Sequence, residues 1–192
     1  KYKNLIFLSN KSKFLEHNYV IFFYGLGCSS KDLRFLFSSI NRNYQLLIPE
    51  LPGHNNSKNN DTLLKFSRKI FLLLKNKHKI TFFGHSVGGI IPILICKYFL
   101  KKKKIFFINY EGNLSEVDTK TLTKKTASYT LREFIDKKFD SLLDISKRSN
   151  NKSIISWSLS LKETSPEIFY KISCECVKYS KRSFSLSFYK TY

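Results

Sequence analysis

Methionine is absent from the 192 residues, which begin with lysine. An initiator methionine is normally kept before a bulky residue, so Lys1 is expected not to be the natural start of translation. Long apolar runs are absent too. No stretch reaches the roughly 18 residues that a membrane-spanning helix needs. The short apolar piece at residues 5–8 follows a basic start but is too brief for a secretory signal. Cysteine is sparse, with Cys28, Cys96, Cys174 and Cys176. The Cys174-Glu175-Cys176 spacing is too tight for a zinc pair and a strained one for a disulfide, so reduced thiols in the cytoplasm are expected. No metal and no cofactor is implied. Acidic residues are few, 14 against 34 Lys and Arg, giving a formal charge of +20. The lysines are nonetheless scattered, and only residues 101–104 cluster. No zinc-finger, RNP or helix-turn-helix pattern accompanies them, so no specific nucleic-acid partner is expected. Histidine is the scarcity that bears on chemistry. His17, His54, His78 and His85 are the whole set, and none follows residue 85.

What is present is an alternation of strands and helices. Apolar, β-branched runs at residues 19–23, 44–48, 79–83 and 105–110 read as strands buried on both faces of a parallel sheet. Residues 5–8 read as a shorter first strand, with a possible return at 14–15. Leu33, Leu36, Phe37 and Ile40 mark one face of a helix over 31–40, capped by Ser29 or Ser30 with Asp32 in its first turn. Asp61 is expected to cap a helix to residue 74. The segment 88–100 is apolar nearly all round, and Pro92 should kink it or confine its regular part. The order predicts an α/β fold, a mostly parallel sheet with helices on both faces. After residue 114 the texture changes. Helical patterns over 115–125, 130–144, 153–161 and 168–179 follow with no strand between them, and Thr164-Ser165-Pro166-Glu167 is a helix start. They predict an α-helical cap over residues 115–180, between a core at 1–114 and a further core strand beginning at 181–192.

The chemical signal is Gly84-His85-Ser86-Val87-Gly88-Gly89, set between two apolar runs. A strand, a sharp turn bearing one serine, and a helix present that hydroxyl to a ligand at the sheet's C-terminal edge. Tyr24-Gly25-Leu26-Gly27 leaves another strand at the same edge. Leu51-Pro52-Gly53-His54-Asn55-Asn56-Ser57 forms a turn-rich loop nearby, and Glu111-Gly112-Asn113-Leu114 ends the last strand.

These motifs, in this order, resemble the α/β-hydrolase fold superfamily across residues 5–114. The resemblance implies a serine hydrolase of esterase, lipase or thioesterase type acting on a small-molecule acyl substrate. Ser86 would be the nucleophile, and the backbone N–H groups of Val87 and Leu26 would form the oxyanion hole. Glu111 is a candidate acid. Tyr24, Gly25, Gly27 and His85 would border the substrate. His54 reads as a loop-supporting residue, and His17 and His78 as surface positions. The chain departs from the family in one serious respect. The triad order is serine, acid, histidine, yet no histidine follows Ser86. The expectation is therefore a core truncated before its last strands, with the acid and histidine beyond residue 192. The alternative is a hydrolase-fold remnant that has lost its triad and binds without catalysis. Oligomeric state is not legible.

Overall fold

The computed structural model describes residues 5–14, 17–55, 57–99 and 105–181. Five strands form one sheet: β1 (Phe7–Ser9), β2 (His17–Phe23), β3 (Gln45–Pro49), β4 (His78–His85) and β5 (Phe106–Tyr110), in the order β1-β3-β2-β4-β5. All neighbouring pairs are parallel except β1 with β3. The sheet is therefore mostly parallel, with helices around it, as the alternating pattern predicts. Of the expected strand start at 181–192 all but Lys181 lies outside the described residues, as do the lysine cluster at 101–104 and Leu15 of the possible return strand.

The register explains which residues are core. Tyr19, Ile21 and Phe23 of β2 stand beside Ile80, Phe82 and Gly84 of β4 on one face, and the apolar members are buried. The other face carries Phe22 and Phe83, stacked at 4.5 Å but only partly covered. Phe106, Ile108 and Tyr110 extend this second face across β5 and are 74%, 50% and 55% exposed. The reading of 105–110 as a buried strand is thus corrected. An apolar run reports affinity for a partner surface, and no described residue covers this one.

The helical segments differ from expectation mainly at their boundaries. Residues 31–40 form a 3₁₀ turn (Ser30–Leu33) and a short helix α1 (Leu36–Ser39) rather than one helix. Ser29 caps the turn and Asp32 completes a reciprocal capping box. Thr62, not Asp61, caps α2 (Leu63–Leu74), its hydroxyl accepting from the N–H of Lys65. Asp61 pairs instead with Lys69. A 3₁₀ turn (Ser86–Gly89) leads into α3 (Ile90–Phe99). Pro92 falls in the first turn of α3, where its missing N–H costs little, so no kink is needed.

After β5 come α4 (Leu122–Ala127), α5 (Leu131–Glu133), a π turn (Phe134–Lys138), α6 (Phe139–Lys147), α7 (Lys152–Lys162) and α8 (Pro166–Tyr179). The rings of Phe134, Phe139 and Phe169, 5.7–5.9 Å apart, hold this layer together. Ser165 caps α8 with Pro166 at its first position. Hydrogen bonds fasten the layer to the sheet's loops, from Ser165 N–H to the Gly53 carbonyl (2.7 Å) and from Ser160 Oγ to the Asp32 carboxylate (2.7 Å). No described helix is long and apolar enough to cross a membrane.

Two loops at the C-terminal edge of the sheet are tied together by one buried histidine. His54 Nδ1–H donates to the Pro52 carbonyl at 2.8 Å, and Nε2 accepts from the N–H of Gly27 at 2.9 Å. Complete burial pushes the imidazole pKa down from 6.5 to about 4. Between those values the unfolded chain binds the extra proton and the native state refuses it. Stability therefore rises with pH across that window and falls on acidification. The linkage is at most about 3 kcal/mol. Urea unfolding followed from pH 7 down to about 4.5 should show this loss in the wild type. His54→Gln, which keeps a donor and an acceptor, should flatten that part of the slope. Parallel pH profiles for the two proteins would refute the assignment.

Two further outcomes follow from packing. A Cβ on Gly88 would lie 2.2 Å from the Phe23 carbonyl oxygen. Gly88→Ala should therefore destabilise by about 2–3 kcal/mol or more in chemical denaturation. The exposed apolar face of β5 should promote association. Phe106→Lys with Ile108→Lys should raise the concentration at which light scattering finds a monodisperse sample, with little change in Tm. A wild type already monodisperse at high concentration would contradict this.

Candidate active site

The site is built on the turn between β4 and α3. Ser86 has φ +54, a left-handed conformation that a non-glycine residue adopts only under constraint. The constraint is the approach of backbones on either side. A Cβ on Gly84 would meet Gly89 Cα at 2.6 Å, and one on Gly88 would collide with Phe23. The strand end and helix start can be this close only because both positions lack a side chain. Ser86 is thereby pushed out of the turn, while Val87 behind it is buried. The N–H of Val87 lies in the first turn of the helical segment, where no intrahelical carbonyl is available to it.

A cleft of about 490 Å³ opens over Ser86. Gly25, Leu26 and Cys28 form one wall, His85, Glu111 and Asn113 another, and Leu122 and Trp157 the far side. The Ser86 hydroxyl donates to Asn113 Oδ1 at 2.9 Å, and the N–H of Asn113 donates to the Ser86 carbonyl at 3.0 Å. Asn113 is itself held by Ser180 Oγ, which donates to its carbonyl at 2.8 Å. The C-terminal turn of the helical layer is thus linked to the serine through one asparagine. Asn113 belongs to the Glu111–Leu114 stretch that ends the last strand, but sequence spacing gives no sign that its side chain meets Ser86.

The residues singled out in the sequence divide into two groups. Ser86, Leu26, Gly25, His85 and Glu111 come together around the cleft. Tyr24 and Gly27, expected beside the substrate, are not among the residues that line the cleft. Tyr24 is 1% exposed, and its hydroxyl donates to Glu50 Oε2 at 2.5 Å while accepting from the N–H of Leu51 at 2.8 Å. Burial first, then the adjacent Glu50 carboxylate, raises its phenol well above the usual range. Alternation along the chain turns Tyr24 inward where it turns Gly25 toward the cleft. Gly27 has its N–H engaged by His54 and lies against Trp157. Glu50 also accepts from Ser30 Oγ and, at 2.7 Å, from Asn55 Nδ2. These bonds fix the loops after β2 and β3 beneath the cleft.

Trp157 is the second residue whose contact at the site sequence spacing did not show. Its indole N–H donates to the Leu26 carbonyl at 2.9 Å, so α7 reaches the loop that carries Leu26. Its being the single tryptophan of the chain was the available signal. Cys28 also faces the cleft, but burial pushes its thiol up to about 12, which leaves little thiolate to act as a nucleophile. His85 packs on Tyr110 with ring centroids 5.6 Å apart. Its burial lowers its pKa, opposed by the Glu111 carboxylate. His17 and His78 face each other at the opposite, N-terminal ends of β2 and β4.

No family model and no curated protein matches the chain. Solved structures do. A bromoperoxidase from Bacillus anthracis superposes with a TM-score of 0.70 over 98% of this chain and 73% of its own, at 12% identity. A carboxylesterase structure from Nitrososphaera gargenis gives 0.64 over 91% and 70%, at 18% identity. A thermophilic esterase from Thermogutta terrifontis gives 0.66 over 91% and 67%, at 13% identity. The mostly parallel sheet, the glycine-framed serine turn at its C-terminal edge and these likenesses agree: the chain has the α/β-hydrolase fold.

Proposed function

We propose that this chain carries the nucleophile and oxyanion site of a serine hydrolase cleaving an ester or thioester of a small acyl substrate. The observation that supports this most is Ser86 itself, held at φ +54 with its hydroxyl on the cleft. A left-handed serine costs about 1–3 kcal/mol and persists only where its surroundings over-determine it. Ser86 Oγ attacks the acyl carbon, and the tetrahedral oxyanion is received by the N–H groups of Leu26 and Val87. Gly27 cannot supply the donor from its loop, because its N–H is bonded to His54. Collapse expels the alcohol or thiol and leaves an acyl-serine, which water then hydrolyses. His85 and Glu111 border the substrate on one wall, with residues 115–180 as the cap that closes the other.

The proton of Ser86 needs a base. His54 is buried in its clamp, His85 packs on Tyr110, and the other two histidines lie at the far end of the sheet. The reading therefore assigns the triad histidine, and the acid that orients it, to residues outside these 192. Glu111 could serve as that acid only if such a histidine reached it. Free thiols at all four cysteines suit a reducing compartment such as the cytoplasm. A second reading draws on a specific contact. The Ser86 hydroxyl spends its proton on Asn113, an amide that is no base. On that reading the chain is a catalytically silent hydrolase fold that binds its ligand.

Hydrolysis of p-nitrophenyl acetate separates the two. An oxyanion site with a serine but no histidine should retain about 10³–10⁴-fold acceleration over water. Added imidazole should raise that rate, and a fluorophosphonate should label the protein slowly at Ser86. Ser86→Ala should remove the imidazole-dependent rate and the labelling, and leave the residual acceleration, which comes from the oxyanion hole and binding alone. No difference between wild type and Ser86→Ala in the response to imidazole or in labelling would leave the silent scaffold as the reading.

A further inference from the structure

The cleft beside Ser86 continues away from the turn. Leu122 of α4 and Trp157 of α7, which form its far side, also line a groove of about 640 Å³ between α4, α6 and α7. Leu142, Ile145 and Ile154 complete the apolar lining of that groove. Leu122, Leu142 and Ile145 in turn border a third hollow of about 310 Å³. Leu122 and Trp157, lining both, make the cleft and the groove adjoining parts of one tract. Ile145 is 68% and Ile154 41% exposed, so its outer part presents large aliphatic side chains to solvent.

Charge is distributed along this tract in a particular way. Glu111 and Asp118 stand in the cleft near Ser86, and Arg148 lies by the α6–α7 turn. Between them the wall is Leu122, Trp157, Leu142, Ile145 and Ile154. Lys125 and Lys138 line the third hollow, whereas no lysine lines the cleft or the groove. Trp157 sits at the junction of cleft and groove. Its bond to the Leu26 carbonyl fixes the ring and ties it to the loop bearing the proposed oxyanion donor.

We infer that the tract takes the hydrocarbon tail of a medium- or long-chain acyl substrate. The acyl carbonyl lies at Ser86, the chain passes between Leu122 and Trp157, and the tail rests against Leu142, Ile145 and Ile154. This rests on the reading of Ser86 as the acyl acceptor and extends it to a substrate class. Continuity with the Ser86 cleft favours an acyl tail over a second copy of the chain, which would cover the outer groove but have no reason to join it to the serine. Specificity for chain length then resides in α6 and α7.

Binding can be read without catalysis. Trp157 is the sole tryptophan, so its emission reports on the junction directly. In Ser86→Ala, methyl esters from acetate to laurate, kept below their solubility limits, should shift that emission. Affinity should tighten about fourfold for each methylene that enters the groove, then level off. Ile145→Asp, at a position exposed enough to tolerate it, should weaken methyl laurate at least tenfold without changing Tm. A flat response to chain length, or an unchanged affinity in Ile145→Asp, overturns the inference. So does a dimeric wild type that Ile145→Asp makes monomeric while laurate binding is unaffected, because the groove is then an interface between copies. Failure of the Ser86 reading looks different. Chain-length-dependent binding persists there, while imidazole and a fluorophosphonate act alike on wild type and Ser86→Ala.

Discussion

The close approach of β4, β2 and the start of α3 is the constraint on which the rest depends. Gly88 lies against the carbonyl of Phe23, and Gly84 against Gly89, at distances that no side chain would allow. That packing decides where Ser86 sits. A strained serine costs about 1–3 kcal/mol, whereas an extra carbon atom in a well-packed turn costs as much or more. The turn therefore has little freedom to relax the strain. The serine is presented because its neighbours leave it nowhere else to go.

Around this apolar constraint a polar one is fitted. Glu50, 3% exposed, accepts from Tyr24, Ser30 and Asn55, while His54 joins the Pro52 loop to Gly27. Burying a carboxylate costs several kcal/mol, and each hydrogen bond to it returns about 1.5–3 kcal/mol. The cluster is thus close to neutral for stability. Its consequence is position: with Gly27 held by His54 and Tyr24 held by Glu50, the backbone of Leu26 between them has one place to be. Trp157 secures the same residue from the other side.

The cleft and the exposed face of β5 differ in kind. The cleft holds the Ser86 hydroxyl and adjoins an apolar groove. The β5 face is apolar and open, with Phe106, Ile108 and Tyr110 aligned on one side of the sheet. Its residues have the composition of a core without its covering. The solved structures of like fold are longer than this chain, which spans 67–73% of those compared.

The sequence by itself determined the α/β alternation, the serine turn and the two loops at the same sheet edge. These rest on local physics: apolar runs bounded by turn residues, and glycines where backbones must meet. It also showed the want of a histidine after Ser86. Only the tertiary structure decided what depends on contacts between distant residues. Tyr24 turned inward to Glu50, 26 residues away, rather than toward the cleft. The Ser86 hydroxyl found Asn113, 27 residues on, and Trp157 reached Leu26 across 131 residues. The β5 run looked buried because hydrophobicity records what a strand can bury, whereas exposure depends on whether another layer lies against it.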